Sequence, residues 1–151
     1  MYVRANELFQ GMSPEFVKAV NSKLVEEHKQ EGDLLYRSGD PANYFYILEE
    51  GHVTLTYGPT SCIVYVLNKG GEAFGLSCLL RESVYAATAQ CRAPSKLKKI
   101  EKQQLEKLLT THPDSGRIFF KVLAGTLFQR MLNSCNSLLS NYEGVGLPSY
   151  G

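Results

Sequence analysis

Residues 38–53 read SGDPANYFYILEEGHV, and this stretch decides the fold of the chain. Turn-forming residues at Gly39-Asp40-Pro41 and Glu50-Gly51 flank a run of aromatic and β-branched side chains. Glycine suits tight turns because it adopts positive φ freely, and aromatic and β-branched residues favour strands. The stretch therefore predicts a strand over residues 44–49, a tight turn, and a second strand over residues 52–57.

The same character extends on both sides, from residue 32 to residue 100. Short runs rich in Tyr, Val, Ile and Thr alternate with Gly, Pro and Asp turn signals about every 8 to 12 residues, a spacing typical of sandwiches and barrels. The remaining candidate strands lie at residues 34–37, 62–67, 84–92 and 97–101. We expect a closed, mainly β domain.

Helices are predicted on both sides of the strands. Ser13-Pro14-Glu15 combines a hydroxyl N-cap, a proline at the first helical position and an acid in the first turn, and it is followed by apolar residues at helical spacing. After residue 100, one leucine-rich helix precedes the break at His112-Pro113-Asp114, and a longer helix follows over residues 115–139. The prediction is one short N-terminal helix and two C-terminal helices.

Composition limits the classes of function. The chain has 151 residues, 44% of them hydrophobic, with 16 basic and 15 acidic side chains and a formal charge of +1. One domain of this size can bury a real core, but it lacks the positive field that attracts nucleic acid or anionic membranes. No apolar run approaches the ~20 residues that span a bilayer, and the N-terminus lacks a secretory segment. We expect a soluble cytoplasmic protein without direct nucleic-acid contact.

Residues 38–53 resemble the signature of the cyclic-nucleotide-binding domain family, which includes the catabolite activator protein regulators and kinase regulatory subunits. Gly39, Asp40, Tyr46, Gly51 and Val53 stand at the positions where that family has the same residues. The resemblance implies a jelly-roll-like β-barrel with a short helix before it and two helices after it. The order of elements predicted from the sequence agrees with this implication.

A second stretch resembles the family's phosphate-binding cassette. Residues 71–80 read GEAFGLSCLL and residues 84–89 read VYAATA, against a family pattern of F-G-E-L-A-L-L, a short loop, and R-A-A-T. In such a cassette a glycine turn leads into a short helix whose free N–H groups face an anionic phosphate. The resemblance implies these ligand-binding residues: Phe74, Gly75, Leu76, Ser77, Cys78, Tyr85, Ala86, Ala87 and Thr88.

Two positions of the cassette depart from the family. Where the family has a glutamate for the ribose hydroxyl and an arginine for the cyclic phosphate, this chain has Leu76 and Tyr85. Hydrogen bonds of charged groups contribute about 1.5–3 kcal/mol each, so losing both predicts an affinity lower by roughly two to four orders of magnitude. Arg81, in the cassette's loop, is a candidate to compensate. The ligand stays open between a weakly held cyclic nucleotide (cAMP or cGMP), another small anion, and a pocket filled only by packing.

Two functions fit this reading. The first is a regulatory or sensor domain, over residues 1–140 with a flexible tail at 141–151, of altered or weak ligand specificity and without a DNA-binding domain of its own. The second is a ligand-free interaction module that forms a homodimer or binds a partner protein through the helix at residues 115–139. That helix carries a wide apolar stripe: Ile118, Phe119, Val122, Leu123, Leu127, Met131, Leu132, Leu138 and Leu139.

Enzymatic alternatives find little support. His28, His52 and His112 are far apart, which disfavours a metal site and a cupin-like metalloenzyme, although cupins share the jelly-roll architecture. The chain contains no G-x-S-x-G elbow, so no catalytic residue is predicted. The four cysteines at 62, 78, 91 and 135 lack close ligand spacing, and we expect reduced, mostly buried thiols without an iron–sulfur cluster.

Overall fold

The computed structural model describes residues 8–81 and 83–143. These residues form eight strands, a helix before them, two helices after them, and a short 3-10 helix between the sixth and seventh strands. The helices are α1 (Pro14–Lys23), α2 (Lys102–Thr111) and α3 (Pro113–Glu143), and the 3-10 helix is Leu76–Leu79. The strands are β1 (Val25–Lys29), β2 (Leu34–Tyr36), β3 (Tyr44–Glu50), β4 (Val53–Tyr57), β5 (Cys62–Leu67), β6 (Ala73–Phe74), β7 (Thr88–Cys91) and β8 (Ser95–Glu101).

The strands form two four-stranded antiparallel sheets, in the orders β1-β8-β3-β6 and β2-β7-β4-β5. Strand β3 is buried on both faces. Phe45 packs against Phe119 of α3 with 5.8 Å between ring centroids, while its neighbour Tyr46 stacks on Phe74 of β6 at 5.1 Å. Successive side chains of a strand point to opposite faces, so one face of β3 meets α3 and the other meets the interior shared with β6. The predicted mainly β, jelly-roll-like class is confirmed.

The helices follow their sequence signals. The Ser13 hydroxyl caps α1 by accepting the Phe16 amide at 3.2 Å, and the Ser13 amide donates to the Ser115 hydroxyl of α3 at 3.0 Å. Helix α3 begins at Pro113, inside the predicted break and two residues before the predicted start at residue 115. The cap therefore does two things: it satisfies an orphan amide of α1 and joins the N-terminal helix to the C-terminal one.

Two strands, β1 and β6, were not predicted from the sequence. Strand β1 has four charged or histidine residues in five, and it lies at a sheet edge where ion pairs replace apolar alternation. The Lys99 ammonium lies 2.5 Å from the Glu27 carboxylate, and Lys96 lies 3.2 Å from Glu26 across the β1–β8 ladder. Strand β6 has only two residues, too few to show any period.

The prediction of a strand over residues 84–92 is wrong in its first part. The strand there is Thr88–Cys91, and residues 84–87 form a loop. Tyr85 instead pairs with the signature turn: its amide donates to the Asp40 carbonyl at 2.9 Å, and the Gly39 amide donates to its carbonyl at 2.8 Å. The backbone of this segment is used to close the end of the barrel.

The C-terminal end also differs from the prediction. Helix α3 continues through Glu143, three residues into the predicted loose tail, and the remainder of that tail lies outside the described residues. Cys78 and Cys91 are buried free thiols as expected, but Cys62 and Cys135 are exposed. Within the described ranges, no helix is long and apolar enough to cross a bilayer.

Candidate ligand site

The backbone of the cassette has the predicted shape. Strand β6 ends at Phe74, Gly75 adopts a left-handed conformation at φ +70°, and the 3-10 helix Leu76–Leu79 follows. A Cβ atom at Gly75 would lie 2.9 Å from Cδ2 of Tyr46 and 3.0 Å from the carbonyl oxygen of Tyr44. Glycine is required here by both its φ and its crowding.

The structure brings both halves of the predicted site together. The Ser77 hydroxyl accepts the amide of Ala86 at 3.3 Å, which joins the 3-10 helix to the loop before β7. Phe74, Gly75, Cys78 and Tyr85 are buried, Ala86 is exposed, and the other predicted residues are half-buried: Leu76, Ser77, Ala87 and Thr88. One amide of the loop is therefore already bound to a side chain of the chain itself.

The signature stretch holds this loop from the other side. The Ser38 amide donates to the Thr88 hydroxyl at 3.0 Å, and the Ser38 hydroxyl donates to the carbonyl of Ala86 at 3.2 Å. The Asp40 carboxylate accepts the Arg37 amide at 2.9 Å and fixes the turn. These bonds show that the signature stretch acts as scaffold for the cassette.

Tyr85 is the residue whose role the sequence left open. Its hydroxyl donates to the Tyr44 carbonyl at 2.7 Å and accepts the Tyr44 amide at 3.0 Å. Its ring stacks on Tyr36, with centroids 3.6 Å apart and planes 12° apart, and the side chain is 4% exposed. Burial raises the pKa of Tyr85 to about 12, so the phenol is neutral at physiological pH. The hydroxyl uses both its donor and an acceptor position on the chain itself.

Tyr85 belongs to a group of four rings that we call the aromatic cluster: Tyr36, Tyr46, Phe74 and Tyr85. Tyr46 stacks on Phe74 at 5.1 Å, and Tyr36 lies 5.7 Å from Tyr46. Burial also raises the pKa of Tyr36 and Tyr46 above the ordinary tyrosine value, and raises that of the neighbouring Cys78 thiol to about 12. The interior beside the cassette is thus apolar, filled and uncharged.

Two cationic side chains, Arg81 and Lys102, lie at the outer loop of the cassette. Arg81 is exposed and enters no hydrogen bond or ion pair among the described residues, and Glu82 lies outside them. The Lys102 ammonium, at the start of α2, contacts the hydroxyl of Ser83 and lies 3.8 Å from the Glu106 carboxylate. Sequence reasoning missed Lys102 because only tertiary packing brings α2 to this loop.

The histidines behave as structural or surface residues. His28 lies 2.9 Å from the Glu26 carboxylate on the surface, and the His112 ring packs edge-on to Phe16 at 5.6 Å. In the part of the chain that the structure describes, no three His, Cys, Asp or Glu side chains group closely enough to hold a metal ion. Histidines that are distant in the sequence are therefore not brought together with other metal-ligating side chains in the described residues.

Taken together, a jelly-roll with a glycine turn and short helix between β6 and β7 defines a class of small regulatory domains. The sequence profile of the cyclic nucleotide-binding domain family matches residues 26–112, more than half of the chain. This chain belongs to that family.

Relatives and solved structures agree with this assignment. The chain is 28% identical over 142 residues to a cAMP-dependent protein kinase type II regulatory subunit of Drosophila melanogaster, covering 93% of this chain and 35% of that protein. It is 29% identical over 118 residues to the human cyclic nucleotide-gated channel beta-3, covering 76% of this chain and 15% of that protein. The chain therefore spans only a minor part of these relatives.

The fold is shared with bacterial regulators. The catabolite activator protein of Thermus thermophilus superposes with a TM-score of 0.70 at 24% identity, over 89% of this chain and 63% of that one. The sensor domain of the transcriptional regulator DNR from Pseudomonas aeruginosa gives 0.69 at 24% identity, over 85% and 87%. These likenesses concern the fold alone.

Proposed function

We propose that this chain is a regulatory domain in which the family's charged recognition of a cyclic nucleotide is lost and ligand specificity is weak or altered. One observation carries the proposal: Tyr85 occupies the position where the resemblance places the phosphate-binding arginine, and both hydrogen bonds of its hydroxyl go to Tyr44. The phenol is neutral and buried, and its hydroxyl hydrogen is already donated to the Tyr44 carbonyl. It therefore offers no counter-charge to a phosphate.

Leu76 and the aromatic cluster support the same conclusion. A leucine replaces the glutamate expected for the ribose hydroxyl, and the ring of Tyr85 lies 3.5 Å from the position that a Cβ at Gly75 would occupy. A cyclic nucleotide would have to displace these side chains in addition to binding without the charged pair. Either requirement lowers the affinity, and the two together predict binding no tighter than the millimolar range.

The backbone half of the cassette leaves room for a different small anion. The amides of Leu76 and Ser77 donate no hydrogen bond to protein atoms of the described residues, whereas the Cys78 amide reaches the Gly75 carbonyl at 3.4 Å. Free amides at the start of a helical turn donate hydrogen bonds to an anion, but they bind it only weakly when no cationic side chain assists. Arg81 is exposed on the adjacent loop and is the residue we propose to assist such a ligand.

Thermal unfolding with added nucleotide tests this proposal. A micromolar site at about 1 mM cAMP or cGMP would add about 4 kcal/mol of stability and raise the melting temperature by roughly 10 °C. We expect a shift smaller than about 3 °C for either nucleotide, as for a dissociation constant of about 1 mM or weaker. A shift of roughly 10 °C with either one would contradict the proposal.

A second candidate function rests on α3. Its second half exposes a group of large apolar side chains: Leu127, Phe128, Met131, Leu132, Leu138 and Leu139. A contiguous apolar face of this kind is typical of a protein–protein interface. We propose that the domain dimerises or docks a partner through this face, so that the barrel regulates through protein contact.

Sedimentation velocity tests the dimer. If α3 is the interface, Met131→Asp or Leu127→Asp shifts the wild-type dimer to monomer, because each places a charge in the apolar face. The control is Lys121→Asp on the same helix, an exposed position outside that group of side chains. A wild-type monomer at micromolar concentrations, or a dimer unaffected by both substitutions, would rule out this interface.

The proposed role involves binding without catalysis, in the cytoplasm and without direct contact to nucleic acid. The formal charge of +1 supports the last point, since affinity for phosphate backbones comes from many basic residues.

A further inference from the structure

The two halves of α3 are attached to the barrel in different ways. In the first half, Phe119 and Leu123 are 0% and 5% exposed and belong to the core. Beyond Leu123, no described residue of the helix is buried. The second half, residues 124–143, therefore lies on the barrel without an apolar anchor of its own.

One side chain of the second half reaches the barrel. The Arg130 guanidinium donates from Nη2 to the carbonyl of Ala73 at 2.6 Å and lies 4.3 Å above the ring of Tyr65. Around this contact the helix and the sheet are separated by a groove of about 230 Å³. Its lining comes from β5 and α3: Ile63, Val64, Tyr65, Val66, Arg130, Asn133, Ser134 and Ser137. The groove shows that close packing does not hold this part of the helix.

The receiving side of the contact is rigid. The Tyr65 hydroxyl donates to the Glu72 carboxylate at 2.7 Å, and the other oxygen of that carboxylate accepts the amides of Asn68 and Lys69 at 3.0 and 2.9 Å. Tyr65 is on β5 and Glu72 is next to β6, so the ring is fixed at the junction of the two sheets. Arg130 thus closes the gap between two sheet edges.

The Arg130 side of the contact is only partly satisfied. Its Nε atom is buried without an acceptor, and the guanidinium forms no ion pair with a carboxylate among the described residues. A half-buried cation held by one carbonyl and one ring face is stabilised much less than a bidentate ion pair. Such a contact opens and closes more readily than the apolar core of the first half.

The carbonyl that Arg130 uses belongs to Ala73, the residue directly before Phe74 and Gly75 of the cassette. We propose that Arg130 is a latch: it couples the strand that enters the cassette to the second half of α3, and its release frees residues 124–143 from the barrel as a unit. This inference rests on the proposed regulatory function for its purpose, but its geometry requires no ligand.

The chain contains its own reporters for the latch. Cys62 on β5 and Cys135 on α3 are exposed, while Cys78 and Cys91 are buried, so spin labels attach selectively to the first pair. Double electron–electron resonance on the labelled protein, diluted with unlabelled protein, measures the distance from β5 to α3. For the wild type we expect one dominant distance population, the latched one.

Arg130→Met keeps the apolar stem and removes the latch. Since a charged hydrogen bond is lost, we expect the ratio of released to latched molecules to rise about tenfold to a hundredfold, seen as a longer and broader distance population. Tyr65→Leu, which removes the ring face, shifts the ratio in the same direction. Arg117→Met, the same change at an exposed position earlier in α3, leaves the distribution unchanged.

Folding and function are separated from the latch in the same experiment. Slow reaction of Cys78 and Cys91 with a thiol reagent shows that the barrel of each variant is folded. An unchanged distance distribution in folded Arg130→Met and folded Tyr65→Leu would overturn the latch. The thermal-shift test with nucleotide is independent of this outcome, so failure of the latch and failure of the proposed function are distinguishable.

Discussion

Tyr85 stands where the family pattern has an arginine, and the structure places its side chain in the core. An arginine there would need a counter-ion, whereas the tyrosine stacks on Tyr36 and bonds the backbone of Tyr44. Compared with an arginine, the tyrosine is uncharged and is stabilised by packing of its buried ring. At this scale, Tyr85 is part of the packed aromatic cluster.

Tyr85→Phe tests the value of the hydroxyl. The ring keeps its stacking, but the amide and carbonyl of Tyr44 lose their partner, so we expect the free energy of unfolding to fall by about 1–3 kcal/mol in urea titration. Tyr57→Phe, at an exposed tyrosine, is the matched control and should change stability by less than about 0.5 kcal/mol. Equal stability of both variants would contradict the role given to Tyr85.

The raised pKa of Tyr85 gives a pH dependence with a defined sign. The folded-state pKa of about 12 lies above the ordinary tyrosine value of 10.0, so the folded form holds its proton more tightly. The associated stability is fully present below pH 10 and is lost as the pH rises toward 12. Unfolding titrations over this window should show a decline that is smaller in Tyr85→Phe, and an identical decline would refute the assignment.

The contacts of Tyr85 could not be predicted from the sequence. Tyr44 lies 41 residues away from it along the chain, and only the closure of the barrel brings the two together. The turn at Gly75 was predictable because it is local: glycine alone tolerates the required φ. Local backbone chemistry is visible in sequence, while the identity of the residue that fills a pocket depends on distant parts of the chain.

At the scale of elements, the junction of α2 and α3 depends on a close approach of backbones. A Cβ at Gly116 would lie 2.6 Å from the Leu109 carbonyl oxygen, whereas a Cβ at Gly125 would meet nothing within 4 Å. The helices can cross here only because Gly116 has no side chain.

Two alanine substitutions in α3 should therefore have opposite signs. Gly116→Ala forces the helices apart and should lower the free energy of unfolding by about 1–3 kcal/mol. Gly125→Ala gains helix propensity without a clash and should raise it by about 0.5–1 kcal/mol, provided residues near 125 remain helical. Chemical denaturation measures both, and destabilisation of equal size would argue against the packing described for Gly116.

Helix and strand positions were predicted correctly where the signal lies in neighbouring residues. They were missed where pairing with a distant strand determines the structure. The capped start of α1 and the break at Pro113 are visible as residue patterns, and both were predicted. Strand β1 was missed because its charged residues look like a solvated loop until Lys96 and Lys99 of β8 are placed opposite them. Edge strands held by ion pairs carry little apolar signal.

At the scale of the whole molecule, the domain keeps the fold of its family, and we propose that its means of ligand recognition differ from those implied by the family pattern. The barrel, the flanking helices and the cassette backbone are present, and the interior next to the cassette is occupied by the aromatic cluster. The fold was predictable because the signature stretch is scaffold. The ligand was not, because the two side chains that the resemblance links to ligand recognition, Leu76 and Tyr85, depart from the family pattern.

Isothermal titration calorimetry with cAMP measures whether the charged recognition of a cyclic nucleotide is lost. The wild type is compared with the double variant Leu76→Glu/Tyr85→Arg. We predict a dissociation constant of about 1 mM or weaker for the wild type and a gain of at least roughly tenfold for a folded double variant, since the charged contacts are restored on an intact backbone. Micromolar binding by the wild type would contradict the proposal that the charged recognition of a cyclic nucleotide is lost.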